Sequence, residues 1–132
     1  GRELYRVCNE FDPNLVNDFV LHQVLPQLPP IETWVSRKQI RDDILAFVGD
    51  DKNPEFWTWY GAYDHIVLCQ IFGTMMDLPD HFPKFTLDLK QELYLNGKRE
   101  PLPQDESGKH DALVDARWLR DAYLDWQEYK NS

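Results

Sequence analysis

The sequence predicts a single α/β domain over residues 1–132. Strand-like and helical segments alternate, an aromatic strand runs straight into an apolar helix through Gly61, and 42% hydrophobic with 14% aromatic residues supply one core. The formal net charge of −9 argues against binding a polyanion through a bulk field, so any nucleic-acid contact must be local. No apolar run approaches the roughly 18 residues needed to cross a bilayer, and no charged-then-apolar leader opens the chain, which together read as a soluble, cytoplasmic protein. Cys8 and Cys69 sit inside apolar runs without ligand-like spacing and read as core thiols of a reducing compartment.

The elements follow in order. Residues 3–9 are rich in β-formers and predict a strand ending before Asp12-Pro13. Asp12 then caps a helix with Pro13 at its first position, and Leu15, Val16, Phe19, Val20 and Val24 recur at helical spacing until Pro26, Pro29 and Pro30 end it. A second helix starts after Ser36, buries Ile40, Ile44, Phe47 and Val48, and closes at Gly49. Residues 55–60 predict an aromatic strand that leads through Gly61 into a helix over 62–72, ended by Gly73. Residues 85–89 predict a short strand running into a helix that reaches Tyr94. Residues 96–109 are polar and loop-like. The last helix, from about 112 to 129, carries Ala112, Ala116, Leu119, Tyr123 and Trp126 as one stripe.

Two local features could carry chemistry. His110 precedes Asp115 by five residues at the start of that last helix. Five helical residues turn through about 500°, which would set the two roughly 140° apart, so His110 belongs before the helix, free to swing over a site beside Asp115. The spacing alone suits equally a capping Asp111, a solvated Asp115 and a loop histidine. The second feature is Asp64, four residues after the aromatic strand. A carboxylate at the C-terminal end of a strand is where open α/β sheets place ligand-binding groups, although a helix-dipole aspartate would occupy the same position.

Together, Asp64, His110 and Asp115 resemble the second and third motifs of the His-containing DEDD exonucleases, the group with RNase T, oligoribonuclease and the proofreading subunit of bacterial DNA polymerase. Ala112-Leu113 and Asp115-Ala116 fit the flanks of the His-x4-Asp motif. The phrases Glu10-Phe11-Asp12-Pro13, Leu25-Pro26-Gln27-Leu28-Pro29-Pro30, Ser36-Arg37-Lys38-Gln39-Ile40-Arg41, Trp57-Thr58-Trp59-Tyr60-Gly61-Ala62-Tyr63-Asp64-His65 and the stretch 110–117 are similar to one small bacterial subgroup of 3′-to-5′ exoribonucleases. That resemblance covers nearly the whole chain. It implies an RNase H-like exonuclease fold whose first two strands, with the family's Asp-x-Glu motif and two of its four carboxylates, have no counterpart here. The chain is therefore expected to be N-terminally incomplete. Glu10 and Asp12 are a poor substitute for that motif, because Asp12 before Pro13 is already explained as a cap.

The resemblance further implies a metal-dependent hydrolase, a nuclease of RNA processing, that removes nucleoside monophosphates from single-stranded RNA 3′ ends. Asp64 and Asp115 would be metal ligands of a two-ion Mg²⁺ or Mn²⁺ site in the complete protein, His110 the general base, and the protein a possible homodimer. Hard carboxylate oxygens suit those ions, and a histidine titrating near neutrality suits the base. Trp59, Tyr63 and His65 are candidates for stacking on the terminal base, with Trp57 and Trp59 on one strand face, so that at least one is expected in the core. Lys109, with Lys98 and Arg99, could contact phosphate, and Arg37, Lys38 and Arg41 form another cationic group. Two other readings use the same residues: an inactive or degenerate relative that only binds nucleic acid or protein, and a phosphodiesterase of small nucleotides.

Overall fold

The computed structural model describes residues 1–97, 100–105 and 111–132. Helices α1 (Arg37–Val48), α2 (Ala62–Phe72), α3 (Leu89–Leu95) and α4 (Ala112–Lys130) surround a two-stranded sheet of β1 (Trp57–Thr58) and β2 (Leu87–Asp88). The strands are parallel, with Trp57 opposite Leu87 and Thr58 opposite Asp88, and Leu87 N–H donates to the Phe56 carbonyl at 2.7 Å. Helices with a small parallel sheet are compatible with the α/β class.

The side chains alternate across β1 and so divide the core. Trp57 and Trp59 pack on a cluster of Leu89, Leu93, Ala122 and Trp126, whereas Phe56 packs on Cys69, Leu78 and Phe82 with Ile44 and Val48 of α1. Leu89 and Trp126 are almost wholly removed from water, and burials of that kind contribute about 1.5–3 kcal/mol per large apolar side chain. Both cysteines are free thiols, Cys69 buried and Cys8 partly so. Among the described residues no helix is long and apolar enough to cross a membrane.

Side-chain caps place the helices, at Ser36 and Asp111 as the sequence suggested and at Asp88 in addition. The Ser36 hydroxyl accepts from Gln39 N–H at 3.1 Å, the Asp88 carboxylate from Lys90 N–H at 3.0 Å, and the Asp111 carboxylate from Leu113 and Val114 N–H at 3.0 and 3.1 Å. Gly49 and Gly73 end α1 and α2 with φ of 66° and 123°, conformations that only glycine adopts readily.

The N-terminal quarter departs from expectation. The strand predicted over residues 3–9 is one parallel bridge, Cys8 to Val35, made by Asn9 N–H to Val35 O and Val35 N–H to Val7 O, each 2.8 Å. A ladder needs an extended partner, and Val35 stands alone between a 3₁₀ turn (Ile31–Thr33) and the cap of α1. The helix predicted after Asp12 is broken into a 3₁₀ turn (Pro13–Leu15), a π-helical turn (Val20–Val24) and a second 3₁₀ turn (Leu25–Gln27). Val16 is extended, and the Asn17 side chain takes the Val20 N–H at 2.9 Å, offering the backbone an alternative to the helical ladder. Leu15 and Phe19, expected on a buried stripe, are 82% and 51% exposed. The strand predicted over residues 55–60 shortens to Trp57–Thr58 because the chain turns sharply at Tyr60.

Candidate active site

Asp64 is carried by the turn from β1 into α2. Tyr60 has φ of 57°, a left-handed conformation costing a non-glycine residue about 1–2 kcal/mol. Gly61 has no room for a side chain: a Cβ there would lie 2.6 Å from Thr58 Cβ and overlap the Thr58 hydroxyl. That hydroxyl donates to the Leu87 carbonyl at 3.1 Å, tying the turn to β2. From β2 the Asp88 carboxylate accepts Tyr60 N–H at 3.0 Å and Gly61 N–H at 3.1 Å. Asp64 then stands in the first turn of α2, at the C-terminal end of β1, where a helix N-terminus favours negative charge.

Asp115 lies one turn into α4, behind the Asp111 cap. Its Oδ1 accepts Gln104 Nε2–H at 2.6 Å, and the segment bearing Gln104 is pinned to the same helix by Trp118 Nε1–H to the Leu102 carbonyl at 2.9 Å. Asp64 and Asp115, 51 positions apart in the chain, line one cavity of about 750 Å³ whose walls include Thr58, Trp59, Gln104 and Trp118. Trp59 meets Trp118 edge to face, with ring centroids 5.0 Å apart. An adjoining cavity of about 650 Å³ shares Thr58, Asp64 and Ala116 and extends to Arg2, Arg117 and Arg120.

The site gathers negative charge. Partial burial, and secondarily the charge of Asp88, raise the Asp64 carboxyl above the ordinary carboxylate value. A cation beside it would relieve that cost. The two carboxylates that line the cavity fit a Mg²⁺ or Mn²⁺ held through one or two carboxylates together with water and substrate phosphate. Among the described residues no cluster of three or more His, Cys, Asp or Glu forms around them. Positive charge lies in the adjoining cavity, where Arg117 binds Glu3 through two 2.8 Å contacts that hold the Glu3 carboxyl below its usual value, and Arg120 approaches the same group at 3.8 Å.

Of the residues predicted from sequence, the structure brings together Asp64, Asp115 and Trp59. His110 and Lys109 lie outside the described residues, as do Lys98 and Arg99. Tyr63 is 76% exposed and does not line the cavity. His65 also stays out of it, with Nε2 3.6 Å from the Cys69 thiol. Lys38 and Arg41 pair with Asp42 along α1 and line neither cavity that holds Asp64. The sequence reading missed Gln104, Trp118 and Asp88. Trp118, three residues after Asp115, was within reach of helical spacing; the other two act through contacts distant in sequence.

No family model matches the chain. Two curated relatives, 3′-5′ exoribonucleases from the CDC 1551 and H37Rv strains of Mycobacterium tuberculosis, are each 46% identical over an alignment of 123 residues that covers 89% of this chain and 71% of the relative. The chain belongs to this exoribonuclease family. The aligned stretch is long enough that the family assignment rests on most of the domain and not on two short motifs.

Proposed function

We propose that the chain is a metal-dependent 3′-5′ exoribonuclease of the His-containing DEDD type, with an RNase H-like arrangement, that removes nucleoside monophosphates from single-stranded RNA 3′ ends in the cytoplasm. The observation that carries this reading is the convergence of Asp64 and Asp115, from separate elements, on one cavity beside Trp59 and Trp118. Asp64 and Asp115 hold Mg²⁺ or Mn²⁺. The bound ion would polarise the scissile phosphate and stabilise the charge that develops on it. Trp59 and Trp118 offer aromatic surface for the terminal base, a contact that tolerates any sequence. His110 accepts the proton of the water that attacks phosphorus, the new P–O bond forms as the bond to the 3′ oxygen breaks, and the departing 3′ oxygen takes a proton from solvent water, so that the shortened RNA leaves with a free 3′ hydroxyl. Lys109, just before His110 in the sequence, is a candidate for phosphate contact; Tyr63 and His65 are candidates for the terminal base from their nearness to Asp64 in the sequence, although neither lines the cavity; and the family resemblance supports a homodimer.

A binding module without turnover is the second reading, favoured by the Gln104 amide seated on Asp115. The test is the fate of a 5′-labelled single-stranded RNA with Mn²⁺. Stepwise shortening from the 3′ end with release of nucleoside monophosphate, lost in Asp64→Asn and in Asp115→Asn, is the expected result. RNA that is retained on the protein but never shortened supports the binding module instead.

A further inference from the structure

We propose that Asp88 is a positioning residue of this site: by accepting the backbone N–H groups of Tyr60 and Gly61, its carboxylate fixes the turn from β1 into α2 and thereby holds Asp64 in the cavity that Asp115 shares. The inference deepens, and rests on, the reading that Asp64 holds a divalent ion.

Three observations carry it. Asp88 makes more hydrogen bonds than a helix cap requires. Oδ1 meets the capping need of α3 through Lys90 N–H at 3.0 Å, yet the same oxygen also takes Tyr60 N–H at 3.0 Å and Oδ2 takes Gly61 N–H at 3.1 Å. The turn it grips is otherwise unfavourable, since Tyr60 sits at φ 57° and no side chain caps α2. An external acceptor holding two successive N–H groups is what such a conformation needs to persist. Finally, Asp88 lines neither of the two cavities that contain Asp64, so it acts through Asp64 and not on substrate. The sheet supplies the leverage: Asp88 is paired with Thr58 across β1 and β2, only two residues before Tyr60, where the turn it secures begins.

The 132-residue chain with Asp88→Ser separates capping from gripping, because serine remains a good cap for α3 but has a single, shorter acceptor that cannot hold both N–H groups. Amide hydrogen exchange at Tyr60 and Gly61, the backbone chemical shift of Asp64 and Mn²⁺ affinity by water-proton relaxation are compared with those of the parent, of Asp88→Glu and of Asp64→Asn. The expected result is faster exchange at both amides, a displaced Asp64 signal and Mn²⁺ affinity lower by about 10-fold to 100-fold, the usual effect of losing a group that orients a metal ligand. Amides of Leu93 and Trp126 keep their protection, and Asp88→Glu, which retains two acceptors, recovers part of the affinity. Parent-like exchange and an unmoved Asp64 signal in Asp88→Ser overturn the proposal, as does unchanged Mn²⁺ affinity despite a loosened turn. A parent whose Mn²⁺ response survives Asp64→Asn defeats the metal reading of Asp64 and, with it, the site role given to Asp88. If exchange and the Asp64 shift still respond to Asp88→Ser in that case, they locate the failure in the metal reading and not in the turn.

Discussion

Gly61→Ala is the smallest change expected to damage both the fold and the site. The backbone at Gly61, φ −87° and ψ 16°, is open to alanine, and the narrower unfolded ensemble of alanine would by itself stabilise by about 0.4–1 kcal/mol. Contact reverses that sign. The new methyl would stand 2.6 Å from Thr58 Cβ and 3.0 Å from Thr58 Cγ2, against an ordinary carbon–carbon separation of about 3.5–4.0 Å, so the two segments must part by about 1 Å. Overpacking of that kind costs about 1–3 kcal/mol. Thr58 is buried, and parting the segments also draws its hydroxyl away from the Leu87 carbonyl, which leaves buried polar groups unmet at about another 1–3 kcal/mol. The net expectation is a loss of about 2–5 kcal/mol, read by urea denaturation followed through tryptophan fluorescence. Thr58→Ala deletes the hydroxyl and methyl that collide, so the double variant Thr58→Ala/Gly61→Ala should lose less than the sum of the single losses. Gly61→Ala within about 0.5 kcal/mol of the parent, or strict additivity with Thr58→Ala, would refute the packing argument.

Three further outcomes are expected. Because burial and Asp88 raise the folded-state pKa of Asp64, its ionised form opposes folding; that cost is absent below the unfolded value of about 3.9 and grows as pH rises through the folded value. Asp64→Asn should therefore raise the melting temperature of the metal-free chain at neutral pH and give no gain at pH 3, and a gain of equal size at both would contradict the stated cause. In a chain that also carries the family's Asp-x-Glu motif, His110→Ala should lower turnover by about 10² to 10⁴ with Mn²⁺ affinity unchanged, while Asp115→Ala lowers both, a contrast read from RNA cleavage at saturating Mn²⁺ beside a binding titration. On α2, Tyr63, Ile66 and Val67 share one exposed flank and predict concentration-dependent self-association, which Val67→Glu should weaken in sedimentation velocity; a parent that stays monomeric across concentrations would count against it.

Much of the fold was legible where local signals agree. Ser36 with Gly49, Gly61 with Gly73, and Asp111 ahead of an apolar stripe mark α1, α2 and α4 by caps and periodicity, and these helices stand close to where the pattern put them. The passage from β2 into α3 was legible for the same reason. The N-terminal quarter was not, because the Asn17 side chain gives the backbone a competing partner, because the nearby prolines lack the N–H a helical ladder needs, and because a strand exists only if a neighbour pairs with it. Within the site, Asp64 and Asp115 could be picked out from position and spacing. The grip of Asp88 on Tyr60 and Gly61, and of Gln104 on Asp115, could not, since each joins a side chain to a group remote in sequence that no local pattern anticipates.

The central claim is that Asp64 and Asp115 form one divalent-ion site, and paramagnetic broadening by Mn²⁺ tests it most directly. In a titration of the isotopically labelled chain, the account predicts that the amide signals of Asp64 and Asp115 broaden together at the lowest Mn²⁺ concentrations, and that Asp64→Asn abolishes the effect at Asp115 as well. Broadening that begins elsewhere, or that reaches Asp115 undiminished in Asp64→Asn, would contradict it.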